Sequence, residues 1–229
     1  MRAARESAIL PEPAPDYDRT CRRCPRLAAF LDEVKREHPG YWCLPVPPFG
    51  PLGAPLLLAG LAPGMHGANA TGRVFTGDYA GILLYETLHD FGYASSPVAT
   101  SRDDGLALDG CRISNSVKCL PPGNKPLPSE IATCSRYLSV DIAALPAGAA
   151  ILALGRVAHE SVVRIAGAAQ SAHRFAHGAR HALDPGRLTL FDSYHCSRYN
   201  TNTGRLTRAM FRSVFRDVAT HLGRPAPRN

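Results

Sequence analysis

The chain has 229 residues and 45% hydrophobic content, which fits one large α/β domain with an ordinary core. Seven cysteines, an odd number, argue against a disulfide framework, and the apolar runs are too short for a membrane span. The net charge of +7, carried almost wholly by arginine, favours a polyanionic partner, most simply nucleic acid.

Residues 1–18, with Pro11, Pro13 and Pro15, read as an extended arm. They lack the continuous apolar stretch of a signal peptide, so a cytoplasmic protein is expected. A Cys-Arg-Arg-Cys pair, Cys21 and Cys24, precedes a short helix over Leu27–His38. The stretch Gly40–Ala54 is rich in Pro and Gly and reads as a wrapped loop.

Four short apolar runs follow, each bounded by turn residues: Leu56–Gly60, Cys111–Val117, Ala150–Leu154 and Leu188–Ser193. Between them lie helical patterns. Asp78–Phe91 offers Asp78 as N-cap and sets Ile82, Tyr85 and Leu88 at helical spacing. Ser129–Leu145 and Gly155–Ala168 follow. The last helix, about Gly204–Leu222, places Leu206, Met210, Val214, Val218 and Leu222 on one face and Arg208, Arg212 and Arg216 on the other. Arg224–Asn229 reads as a tail. Strands alternating with helices imply a mostly parallel four-stranded sheet covered on both faces, with ligands bound beyond the carboxyl ends of the strands.

Two further cysteines, Cys119 and Cys134, stand in a Cys-x14-Cys arrangement. Four thiols suffice for a tetrahedral zinc or a four-cysteine iron–sulfur cluster. Only one pair is tight, which tilts the reading toward a [4Fe-4S] cluster. Cys111, within a strand run, reads as core; Cys43 has no evident role.

The first apolar run feeds Gly60-Leu-Ala-Pro-Gly-Met-His-Gly-Ala-Asn-Ala-Thr-Gly-Arg-Val-Phe-Thr-Gly-Asp78. Its glycines let backbone N–H groups approach a ligand closely. It is neither a P-loop nor a dinucleotide fingerprint. Phe75 offers a ring that can stack on a flat base or anchor the loop, and Asp78 a carboxylate at a helix start. This run closely resembles the first motif of family 5 (type-b) uracil-DNA glycosylases. Ile113-Ser-Asn-Ser-Val-Lys-Cys-Leu-Pro-Pro-Gly-Asn-Lys-Pro126 resembles that family's middle motif, and His195-Cys-Ser-Arg-Tyr-Asn200 its last. The four cysteines match the family's cluster ligands in order. The resemblance spans about residues 19–222, one three-layer α/β/α domain.

The resemblance implies excision of uracil, and of other deaminated bases, from DNA after the nucleotide is flipped into a pocket. It makes Phe75 the stacking ring and Asn115 the partner of the base edge. It makes His195 the donor to the O2 side and Asp78 the group that holds water or stabilises the sugar. Gly64 and Asn124 join the substrate-binding set, and Cys21, Cys24, Cys119 and Cys134 hold a [4Fe-4S] cluster. The loop Ser197–Tyr199 would wedge into the duplex, although Cys196 replaces the usual Pro. Ala70 and Val74 also depart from the first motif.

Arg73, Lys118, Arg198 and Arg205 are candidate phosphate contacts near the sheet's carboxyl edge. No lysine other than Lys118 and Lys125 lies in these loops, so a monofunctional enzyme without Schiff-base chemistry is expected, acting as a monomer. His66, His173 and His177 read as surface or loop residues. Two competing readings remain: a non-catalytic iron–sulfur nucleic-acid-binding module, and a zinc-bound α/β hydrolase, which lacks its G-x-S-x-G elbow.

Overall fold

The structure is a computed structural model that describes residues 17–184 and 186–225. Most of the expected N-terminal arm and the tail beyond Pro225 lie outside these residues.

Five strands form one sheet: β1 (Leu56–Gly60), β2 (Cys111–Asn115), β3 (Ala149–Leu154), β4 (Arg180–Asp184) and β5 (Leu188–Ser193), in the order β2-β1-β3-β5-β4. All pairings are parallel except β4 with β5. The expectation of four strands is corrected by β4, an edge strand. Its exposed and half-buried residues alternate, so it carries no apolar run to announce it.

The inner strands are buried on both sides, and period-2 geometry divides their side chains between two cores. Leu56 and Leu58 of β1 face α3 (Tyr79–Asp90) and α7 (Arg208–His221). Leu57 and Ala59 face α4 (Pro128–Ala143) and α5 (Arg156–Ile165). The architecture is therefore α/β/α. The remaining helices are α1 (Pro25–Glu37) and the short α2 (Ala68–Thr71) and α6 (Arg198–Asn202).

Local chemistry sets the helix ends. Pro128 opens α4, and the Glu130 carboxylate accepts from Leu127 N at 2.7 Å. The last helix starts later than its periodicity predicts. Gly204 sits at φ 70, and Thr207 caps α7 by accepting from Met210 N at 3.2 Å. Arg224, expected in the tail, is anchored: it donates to Gly92 O and its guanidinium lies 4.3 Å over the Tyr93 ring. No described helix is long and apolar enough to cross a membrane.

Helix α1 packs Leu27, Leu31 and Val34 inward, against Val117, Leu120, Cys134 and Tyr137. Arg26 adds an ion pair with Glu130 of α4 at 2.7 Å. These contacts seat the N-terminal segment beside the β2–α4 connection.

Candidate active site

Loops following β1, β2 and β5 converge on one cavity of about 360 Å³ at the carboxyl end of the sheet. Gly64, Phe75, Asp78, Asn115, Asn124, His195 and Arg198 all line it. Leu61, Ala62 and Ser197, the last at the head of the expected wedge loop, also line it, as does Tyr79, which nothing in the sequence marked.

Phe75 sits at φ 52, a left-handed conformation that a bulky residue adopts only when its surroundings hold it there. Its ring is 6% exposed and stacks on His195, with centroids 5.8 Å apart and planes inclined by 27°. Asn115 ends β2. The Lys118 ammonium donates to the Asn115 carbonyl at 3.2 Å and also to Ser114 Oγ. The Asn115 side chain is buried, and its Oδ1 has no hydrogen-bond partner among the described residues. Such an acceptor is costly unless a ligand satisfies it.

Asp78 is the N-cap of α3, as the sequence predicts, and its Oδ1 accepts from Gly81 N at 3.0 Å. Its Oδ2 lies against Gly67, where a Cβ would come within 2.4 Å. Burial raises the Asp78 pKa, while backbone donors from Gly81 and Ala80 hold it down. His195 keeps some access to the cavity, yet the surrounding protein pushes its pKa down to about 4, so the imidazole is neutral at pH 7. Asn200 Nδ2 donates to His195 O at 2.8 Å and fixes the loop.

At the mouth, Arg198 lies 5.2 Å over the Tyr79 ring, and the exposed Tyr199 is 71% accessible. Arg205 lies 4.6 Å over Tyr194 and lines an adjoining groove with Arg156 and Asn200. Arg73 and Lys118 do not belong to this surface. Arg73 is 3% exposed, and both its terminal nitrogens bond Asp104, at 2.7 and 2.6 Å. Lys118 is 2% exposed and turned inward toward β2. Each is itself buried and held by protein partners, which corrects the expectation of phosphate contacts at these two positions.

Cys21, Cys24, Cys119 and Cys134 line one small cavity with Leu27, Val117 and Tyr137. Lys118 N donates to Cys134 Sγ at 3.2 Å. Burial pushes Cys24 up to about 11, and burial with repulsion from the other thiols raises Cys119 further. Such raised values keep the Cys24 and Cys119 thiols protonated at neutral pH unless a cation stabilises their thiolates. Cys111 and Cys196 are fully buried, and buried Cys43 accepts from Asn69 Nδ2 at 3.5 Å. His173 and His177 lie in the loop before β4, where both are half-buried, and His177 Nδ1 accepts from Tyr194 N.

Residues 47–219 match the family model described as the uracil DNA glycosylase superfamily. A type-5 uracil-DNA glycosylase of Thermus thermophilus is 48% identical over 86% of this chain and 92% of its own length. A type-5 uracil-DNA glycosylase of Pyrobaculum aerophilum is 40% identical over 89% of each chain. One from Mycobacterium bovis is 44% identical over 86% of this chain and 76% of its own. With this similarity running through the three cavity-forming loops, the chain belongs to the type-5 uracil-DNA glycosylases of the uracil DNA glycosylase superfamily.

Proposed function

We propose that this protein removes uracil, and other deaminated bases, from DNA by hydrolysing the N-glycosidic bond. The observation that carries the reading is the cavity itself. It joins an aromatic face, a buried amide with an unsatisfied oxygen, a neutral imidazole and a half-buried carboxylate from three separate loops.

In this reading the flipped base stacks on Phe75, and Asn115 pairs with its edge. The amide oxygen is an acceptor for the base N3–H, and the amide nitrogen is a donor for O4. As the C1′–N1 bond breaks, its electron pair moves onto the base and the sugar takes on oxocarbenium character. Neutral His195 donates to O2 as that oxygen gains charge, and it stays neutral in doing so. The Asp78 carboxylate faces the sugar, where it stabilises the positive charge and orients the water that adds to C1′. The proton of that water leaves to solvent or to the departing base. Among the described residues lining the cavity there is no amine, which supports plain hydrolysis over Schiff-base lyase chemistry. Arg198 and Arg205 flank the mouth and suit phosphate contacts, while exposed Tyr199 suits a wedge into the duplex.

The four cysteines fit a [4Fe-4S] cluster as donors: thiols in one apolar pocket, with a backbone N–H turned to one sulfur. When bound, the cluster would tie the N-terminal segment to the β2–α4 connection rather than take part in bond cleavage.

A duplex oligonucleotide with one uracil opposite guanine tests the reading. Incubation followed by alkali should give strand cleavage with the wild type. Asp78→Ala and His195→Ala should each cut the single-turnover rate by roughly 10²–10³-fold. Cleavage without alkali would contradict the monofunctional assignment. No base release from uracil, hypoxanthine or xanthine substrates would leave a binding module as the correct description.

A further inference from the structure

Outside the cavity, and unused by the reaction, lies a second cluster of polar groups. His159 on α5, His181 on β4 and Asp192 on β5 bring ligand atoms within 4.8 Å of one another. The His159 and Asp192 side chains are 1% and 0% exposed, and that of His181 is 13% exposed.

The hydrogen-bond geometry makes this cluster unusual. His159 Nε2 lies 2.7 Å from the carbonyl oxygen of His173, which only accepts, so Nε2 carries a hydrogen. In a neutral ring Nδ1 is then a bare lone pair. It points at Asp192 Oδ1 from 2.8 Å, and a carboxylate oxygen is also an acceptor. Two acceptors meet at that distance only with a cation between them. The other carboxylate oxygen, Oδ2, faces His181 Nε2 at 3.2 Å and Ala176 N at 3.4 Å.

Two imidazole nitrogens and one carboxylate make a borderline donor set, suited to zinc and its neighbours rather than to magnesium or calcium. The Nε2–H bond from His159 to a backbone carbonyl is the kind that orients a metal-bound histidine and fixes its tautomer. The half-open side at His181, on the edge strand, gives an ion a way in.

We propose that His159 Nδ1, His181 Nε2 and an Asp192 carboxylate oxygen bind one divalent transition-metal ion, with zinc the best fit. The ion would join α5, β4 and β5 just before Ser193, Tyr194 and His195. It is separate from the four-thiol pocket and independent of the proposed reaction. The rival occupant of the same gap is a proton, which would make the cluster an imidazolium–carboxylate pair.

Zinc titrated into the full chain, followed by X-ray absorption at the zinc edge, separates the two. Bonds to nitrogen and oxygen lie at about 2.0–2.1 Å and bonds to sulfur at about 2.3 Å, so this site and the thiol pocket give different shells. About one equivalent of zinc with a nitrogen/oxygen shell is expected in the wild type and in Cys21→Ala. It should be lost in His181→Ala and in Asp192→Asn, and the zinc-induced rise in Tm should vanish with it. His181→Ala alters an edge strand and should fold; His159→Gln provides a second variant if it does not. Zinc bound only through sulfur would overturn the proposal in favour of the proton. So would a nitrogen/oxygen shell that survives in all three variants.

Discussion

His195 shows how one side chain couples the cavity to pH. The folded protein pushes its pKa from the ordinary 6.5 to about 4. Between those values the unfolded chain binds the extra proton and the folded chain does not, so stability falls as pH is lowered through this window. The loss from this one group approaches about 3 kcal/mol at pH 4. Urea unfolding of wild type and His195→Gln at pH 7 and pH 4 measures it. The variant should lose less on acidification, and equal losses would remove His195 from the account. Gly60 is a second residue whose chemistry is spatial. A Cβ there would stand 2.3 Å from Asn115 Oδ1 and 3.1 Å from the Phe75 ring. Gly60→Ala should reduce uracil excision tenfold or more by displacing both side chains, at an overpacking cost of about 1–3 kcal/mol. Combined with Asn115→Ala, the losses should be less than additive, because both changes act on the same group.

Among the elements, the long connection from α3 to β2 is pinned by an ion pair between buried Arg73 and Asp104. Asp104 accepts both terminal nitrogens of Arg73 and the backbone N–H groups of Thr100 and Leu106. The Arg73 guanidinium beside it holds its pKa well below the usual carboxylate range. Arg73→Ala would strip the Asp104 carboxylate of its charged partner, and chemical denaturation should record a loss of roughly 1–3 kcal/mol. DNA affinity measured across a salt series should keep its slope. A slope reduced by about one would return Arg73 to the phosphate-contacting set. This pair also shows where sequence reading stops. The strands β1, β2, β3 and β5 are legible as apolar runs, and Asp78 as a cap, because those signals are local. That Arg73 meets Asp104, and that Lys118 turns inward to Ser114, depends on how distant segments are folded together. The strand β4 escaped for the opposite reason. Half its side chains face water, and Arg180, His181 and Asp184 resemble a loop.

At the scale of the whole molecule, the motif residues were legible because the three loops carry a strong likeness to one family. The His159–His181–Asp192 cluster was not, because its members belong to three elements and no motif spans them. The four cysteines fall between these cases: their identity was readable, their convergence on one pocket a matter of folding. If they clip the N-terminal segment in place, Cys134→Ala should lower soluble yield and Tm, with the residual folded fraction still cleaving uracil DNA. Variants as stable as wild type yet inactive would show that the pocket serves something other than anchoring.

The two borders of the sheet have a consequence of their own. On one side, Phe49 exchanges backbone hydrogen bonds with Ile113 of β2, at 2.9 and 2.8 Å. On the other, β4 is short, charged and irregular in register. Neither border offers a long, flat, apolar template to a strand from another molecule. Concentrated stocks, and many copies crowded along one nucleic acid, should therefore resist seeding fibres even though the central strands are rich in leucine and alanine.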